Sequence, residues 1–393
     1  MNLHLAHDDK FLDIFIRNQS KIEEFANNKY LLSSSMITLT KSKGVHNAGF
    51  NTKKYFEIIG DWSQYDKVYI HYFDPKYFEI VRTIPSGIKV IWIFWGGDAF
   101  YLPAFSDKYL LPITKDYVYS SNPLREFFFP GCKPIFQKPS TPRSLMRNSL
   151  KYLNERLTAW SQQSLWRSHV KAFSRVDYFA HYLPEDFNSI VTSYPTLKAS
   201  LIDFNYGSVQ DFLTPNKSNS GKNLLLGNSG AETNNHLDAL RVIPAQFEGK
   251  IICPLSYGAA NHYVGNIMRF GGVKFKNSFL PLLEFLPLKD YQRLLSSCGL
   301  AIMNHIRSQA AGNIFALLSK GTKVAMNPDS NLFKFLLDKG LIVSAFDADL
   351  FSFSGKFEPL SLQQIESNKV KLNNAFCNDA VLRRYENLFQ LNT

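Results

Sequence analysis

Residues 223–240 read NLLLGNSGAETNNHLDAL. Three leucines after Asn223 form a short apolar run. Gly227-Asn228-Ser229-Gly230 then interrupts it with turn-forming residues, and Leu237 and Leu240 return three apart, a helical step. Strand, glycine turn and helix in that order make one βα unit, and such units follow one another where the strands are parallel.

The same alternation extends outward. Strand-like runs are expected at Asn2–His7, Ser35–Thr40, Lys67–Phe73, Lys89–Trp95 and Val176–Tyr182. Beyond Asn223 they recur at Lys250–Leu255, Gly299–His305, Thr322–Asn327 and Leu341–Phe346. Helical periods fall at Asn234–Phe247, Asp290–Ser297 and Ile314–Ser319, and LTPNKSNSGKN (residues 213–223) is linker-like. A chain of 393 residues exceeds the roughly 250–300 that one core sustains. The expectation is therefore two α/β domains with parallel sheets: 1–200, 201–375, and a closing helix within 376–393 that returns toward the first.

Composition narrows the chemistry. The four cysteines, Cys132, Cys253, Cys298 and Cys377, form no C-x-x-C pair, which argues against zinc and dithiol motifs and for a reducing compartment. The N-terminus has no signal-peptide pattern, and no run approaches about 18 apolar residues. A cytosolic protein, or one attached to a surface from the cytosolic side, is expected. The net charge of +11 is uneven: between Gly131 and Arg175, nine Lys and Arg face the single Glu155. Within that stretch Arg143, Arg147, Lys151, Arg156 and Arg167 mix with Trp160 and Trp166. Basic residues interleaved with Trp and Leu suit an anionic membrane interface, and no nucleic-acid motif accompanies them. A solvated helix with an apolar inner face is the alternative.

In an open parallel sheet ligands bind beyond the carboxyl ends of the strands. There the first half carries His71 and Trp95-Gly96-Gly97-Asp98. The second carries Gly227–Gly230, Ser256-Tyr257-Gly258, and Arg307-Ser308-Gln309 followed by Gly312-Asn313 at a helix start. Small residues, exposed amides and helix N-termini suit an anion, and Arg307 suits a diphosphate. An ordinary turn and a surface arginine are the competing readings. Asp98 is either a helix cap or a general base for a hydroxyl, with His71 as its support. Asp347-Ala348-Asp349, the one Asp-x-Asp, reads as a solvated turn; no metal and no other cofactor are expected.

LLLGNSGAETNNHLDAL, ICPLSYG, IRSQAAGNIFALLSKGTKVAMNPDSNLF and WGGDAFYL resemble the TDP-N-acetylfucosamine:lipid II N-acetylfucosaminyltransferases, glycosyltransferase family 56. The resemblance is clearest over about 224–346 and thin in the first half, through His71 and Trp95–Leu102. It implies a GT-B fold: two Rossmann-like domains with parallel sheets facing across a cleft, donor on the second and acceptor on the first. It further implies a metal-independent hexosyltransferase. Such an enzyme moves a 4-acetamido-4,6-dideoxygalactose-type sugar from a TDP-sugar to a polyprenyl-diphosphate-linked saccharide. The setting would be the cytoplasmic face of the bacterial inner membrane, in a pathway like that of enterobacterial common antigen. By this analogy Gly227, Asn228, Ser229, Arg307, Gln309, Gly312 and Asn313 hold the donor diphosphate, Ser256 and Tyr257 lie near nucleoside or sugar, and Asp98 is the base. The stretch Gly131–Trp166 is longer than in the enterobacterial members, which leaves sugar and acceptor open. A sugar-nucleotide epimerase of the same architecture and a non-catalytic binder of anionic membranes are the alternatives.

Overall fold

The structure is a computed structural model. It describes residues 1–22, 27–34, 36–100, 105, 108–120, 170–212, 221–258, 261–352 and 355–391. These fall into two compact units, one within Met1–Leu102, Arg167–Leu213 and Val370–Thr393, the other within Pro103–Trp166 and Thr214–Lys369.

The first unit holds β1 (Asn2–Ala6), β2 (Asn28–Leu32), β3 (Val45–Asn47), β4 (Lys67–His71), β5 (Lys89–Ile93), β6 (Tyr178–Ala180) and β7 (Ser200–Ile202). All pair in parallel, in the order β3-β2-β1-β4-β5-β6-β7. The apolar runs of β1, β4 and β5 are buried on both faces, as a helix-covered parallel sheet requires. Asp9 caps the helix Lys10–Gln19 by accepting from the Phe11 amide at 2.8 Å. The helix Asn378–Phe389 buries Val381, Tyr385, Leu388 and Phe389 in the same core as Phe15, Tyr30, Tyr69 and Phe204. Lys67 Nζ donates to the Phe389 carbonyl at 2.7 Å and fastens the end of that helix to β4. Each large apolar side chain so buried contributes about 1.5–3 kcal/mol.

The second unit holds β8 (Asn223–Leu226), β9 (Ile251–Pro254), β10 (Phe279–Leu282), β11 (Cys298–Met303), β12 (Lys323–Met326) and β13 (Ser344–Ala345), parallel in the order β10-β9-β8-β11-β12-β13. It also takes the helix Pro112–Ser120: Asp238 accepts from the amides of Ile113 and Thr114 at 3.0 and 2.8 Å. The strand order reverses between β1 and β4 in one sheet and between β8 and β11 in the other, and such reversals open a crevice at the carboxyl ends.

One expected strand is absent. Met36–Thr40 lies in the loop between β2 and β3, although its β-branched run suggested a strand. Its amides are taken by carboxylates instead of a neighbouring strand: Asp8 accepts from Thr38, Leu39 and Thr40.

Candidate functional site

The second unit's reversal point brings the Gly227 turn and the Arg307 loop onto adjacent strand ends. The Gly227 N–H donates to the Ile302 carbonyl at 2.9 Å. Gly227 has φ +69, and a Cβ there would stand 2.8 Å from His236 Nε2 and 2.9 Å from Asn234 Oδ1, so only glycine fits. Asn234 shapes the turn from within. It accepts from the Asn228 amide at 3.1 Å and donates to the Ser229 and Ala231 carbonyls. Asn235, in the left-handed region at φ 52, links to Asn304, and Asn327 donates on to Asn304 Oδ1. The NNHLDAL half of the opening stretch is thus scaffold: two asparagines under the turn, His236 buried beside it, and Asp238 gripping a helix.

Above that scaffold four expected site residues share one hydrogen-bonded chain. Tyr257 Oη donates to the Asn228 carbonyl at 3.1 Å, and Gln309 Nε2 donates to Asn228 Oδ1 at 2.8 Å. Thr233 Oγ1 donates to Gln309 Oε1 at 2.9 Å and accepts from Arg307 Nε at 3.0 Å. Thr233 joins loops that the sequence reading treated separately. Ser229 is buried within the turn, and Ser256, beside Tyr257, is half-buried. Gly312 and Asn313 lie in the first turn of the helix Ala311–Ser319, which has no side-chain cap and is preceded by Ala310 at φ 61. Burial first, then the Arg307 charge, pushes His305 down to about 3 and keeps the imidazole neutral. An aromatic pair flanks the chain: Tyr257 and the exposed Phe285 stack with centroids 5.6 Å apart and planes 11° apart.

In the first unit Asp98 is fully buried. Its oxygens accept from Trp92 Nε1 at 2.5 Å, the Phe73 amide at 3.2 Å and the Trp95 amide at 3.1 Å. Burial raises its pKa to about 6 against the pull of those donors. Those bonds make it a tie that closes the β5 turn onto β4. His71 does not touch it. His71 Nδ1 meets Tyr206 Oη at 2.6 Å, and His71 Nε2 meets His4 Nδ1 at 3.0 Å. At the far end His4 Nε2 meets Asn28 Oδ1 at 3.1 Å; at the near end Trp95 Nε1 donates to Tyr206 Oη at 2.5 Å. A side-chain amide oxygen only accepts, so His4 Nε2 carries a proton and Nδ1 accepts. His71 Nε2 is then a donor, its Nδ1 an acceptor, and the Tyr206 hydroxyl donates to it. Burial keeps both rings neutral, with His4 pushed down to about 3 and His71 well below the ordinary histidine value.

Arg143, Arg147, Lys151, Arg156, Trp160, Trp166 and Arg167 lie outside the described residues. Asp347 accepts from the Asp349 amide in an exposed turn. Among the described residues no cluster of three or more His, Cys, Asp or Glu is placed to hold a metal ion, and no helix is long and apolar enough to cross a membrane.

Three solved structures share this two-sheet architecture across nearly the whole chain. One is Anabaena HepE in complex with UDP-glucose (TM-score 0.60, 11% identity, 99% of each chain). Another is the sucrose-phosphate synthase of Thermosynechococcus elongatus (TM-score 0.59, 8% identity, 99% of this chain and 98% of that one). The third is a glycosyltransferase from Rickettsia africae (TM-score 0.57, 10% identity, 99% and 97%). At these identities the likeness establishes the fold, the GT-B class. In sequence, residues 179–370 match the family described as 4-alpha-L-fucosyltransferase, glycosyl transferase group 56.

Proposed function

The chain belongs to glycosyl transferase group 56 through residues 179–370, and from that premise we propose that it transfers a deoxy-acetamido sugar, of the 4-acetamido-4,6-dideoxygalactose type, from a TDP-sugar to a polyprenyl-diphosphate-linked saccharide. The work would be done at the cytoplasmic face of the bacterial inner membrane and without a metal. The observation that carries this reading is the hydrogen-bonded chain Tyr257–Asn228–Gln309–Thr233–Arg307 beside the uncapped start of helix Ala311–Ser319. As the glycosidic bond breaks, negative charge grows on the departing diphosphate. A guanidinium and a helix N-terminus, already fixed in place, stabilise that charge where other enzymes use a metal ion. Asn228 and Gln309 hold the loops at a set separation, and Gly227 lets the turn's backbone come close. Tyr257 lies on the nucleoside or sugar side, with Phe285 behind it.

The test is transfer from TDP-sugar to a lipid-diphosphate acceptor, with TDP affinity measured by calorimetry. Arg307→Ala is expected to lower kcat/KM about a hundredfold, since one preorganised donor to a developing anion is worth that much, and to weaken TDP binding. EDTA is expected to leave the rate unchanged. The reading is falsified if Arg307→Ala retains both wild-type TDP affinity and wild-type transfer.

A further inference from the structure

Residues 36–54, MITLTKSKGVHNAGFNTKK, contain four lysines and no acid. Met36, Ile37 and Leu39 are 70%, 37% and 53% exposed. Three large apolar side chains turned outward within four positions form a patch, unlike an isolated surface leucine. Lys41 and Lys43, which follow them in the chain, are also exposed.

The backbone beneath this patch is held in an unusual way. Five successive amides, Thr38 to Ser42, are taken by two carboxylates from the start of the first helix. Asp8 accepts from Thr38, Leu39 and Thr40 at 2.6, 3.0 and 2.7 Å; Asp13 accepts from Lys41 and Ser42, each at 2.9 Å. Burial pushes the Asp8 carboxyl up, but the amides of Thr38, Thr40 and Leu39 together outweigh it and hold the group well below the ordinary carboxylate range. Two consequences follow. The clamp draws the backbone inward and leaves the apolar side chains outside. It also satisfies every amide from 38 to 42, so the loop can enter a region of low dielectric without the cost of naked donors.

We propose that the loop Met36–Lys43 is a membrane-docking element. Met36, Ile37 and Leu39 enter the interface of an anionic bilayer, while Lys41 and Lys43 lie against its headgroups. The carboxylates of Asp8 and Asp13 face the loop's own amides. The occupant is an anionic lipid surface because outward apolar side chains followed in the chain by exposed Lys41 and Lys43 match its two layers, acyl boundary and charged headgroups. The inference deepens the lipid-linked-acceptor reading above, but it stands on observations of its own.

The full chain would be co-sedimented with vesicles of phosphatidylethanolamine and phosphatidylglycerol, and with phosphatidylcholine alone. Preferential partition onto the anionic vesicles is expected. The combined variant Met36→Ser/Ile37→Ser/Leu39→Ser and the variant Lys41→Gln/Lys43→Gln should each lower the partition coefficient roughly tenfold or more, and the lysine variant should flatten its salt dependence. The substituted side chains are exposed, so far-UV circular dichroism should match the wild type. Failure of the wild type to sediment, equal partition onto phosphatidylcholine, or a variant that partitions as the wild type does would each overturn the proposal. TDP affinity measured on the same proteins separates the two ideas. Lost nucleotide binding in the wild type counts against the transferase reading, and an unchanged vesicle profile in the variants counts against the loop.

Discussion

Gly227 and Asp98 show how differently single residues can be read. Gly227 announces itself in the sequence, because a glycine closing an apolar run marks a turn. What lies around it is not visible there: His236 Nε2 and Asn234 Oδ1 occupy the space a Cβ would need. Gly227→Ala is expected to cost roughly 1–3 kcal/mol from positive φ and crowding together, seen as a lowered Tm, and to weaken TDP binding more than ten substitutions elsewhere on the surface would. Asp98 was equally visible, at the end of a strand and after two glycines, and cap and base both suited it. Trp92, six residues back, and Phe73, brought in from just past the end of β4, settle its surroundings. Asp98→Asn turns one accepting oxygen into a donor that faces other donors. A loss of about 2–4 kcal/mol is expected, the cost of breaking a buried charged network. Lost transfer together with a Tm drop of several degrees fits a positioning residue. Lost transfer at unchanged Tm would place Asp98 in the chemistry.

Among elements, most strands were legible, including the short β6 and β13 within Val176–Tyr182 and Leu341–Phe346, and four were not. β1, β4, β5, β8, β9 and β12 each lie within a run read from the sequence, and β11 starts one residue before its run. β2 opens on Asn28-Lys29, β3 and β7 have three residues each, and β10 carries Pro281 at a sheet edge, where proline is tolerated. The misread strand Ser35–Thr40 had the right propensity. It lost to Asp8 and Asp13, which are far from it in sequence and supply acceptors no local pattern reveals. The helix Ala311–Ser319 supplies a test at this scale. Ala310 precedes it at φ 61, a conformation that costs a residue bearing a Cβ. Ala310→Gly is expected to raise stability by about 0.5–1 kcal/mol, read as a higher midpoint in urea. A lower midpoint would mean that the Ala310 methyl group makes packing contacts worth more than the relief.

For the molecule as a whole, the parallel pairing within both sheets followed from the alternation of strand-like and helical runs, whereas the strand order came only with the structure. So did the buried polar interior. Tyr206 lies in no run singled out in the sequence, and His4 in an ordinary apolar strand, yet both are fixed in the same relay. That interior predicts the response to acid. Burial pushes His4, His236 and His305 down to about 3 from 6.5, and His71 well below it. Below pH 6.5 the unfolded chain takes up protons that the folded chain refuses, so their contribution is complete above 6.5 and falls away as pH drops. Asp98, raised from 3.8 to about 6, acts in the opposite sense: its contribution is present below 3.8 and lost as pH rises through 6. Four imidazoles outweigh one carboxyl. Calorimetric scans should give a Tm that is level from pH 7 to 8 and declines steadily below 6.5. A Tm that climbs between pH 7 and 5 would contradict this.

The relay through Trp95, Tyr206, His71, His4 and Asn28 has one further consequence. All four of its hydrogens point the same way, so no member can turn alone; reversing one would set two hydrogens against each other at one neighbour and two lone pairs at the next. Substitutions along it should therefore interact. Removing the Tyr206 hydroxyl orphans His71 and Trp95 at once, and a second cut at His4 should add less than it does in the intact protein. The row behaves as a single part, with a front and a back.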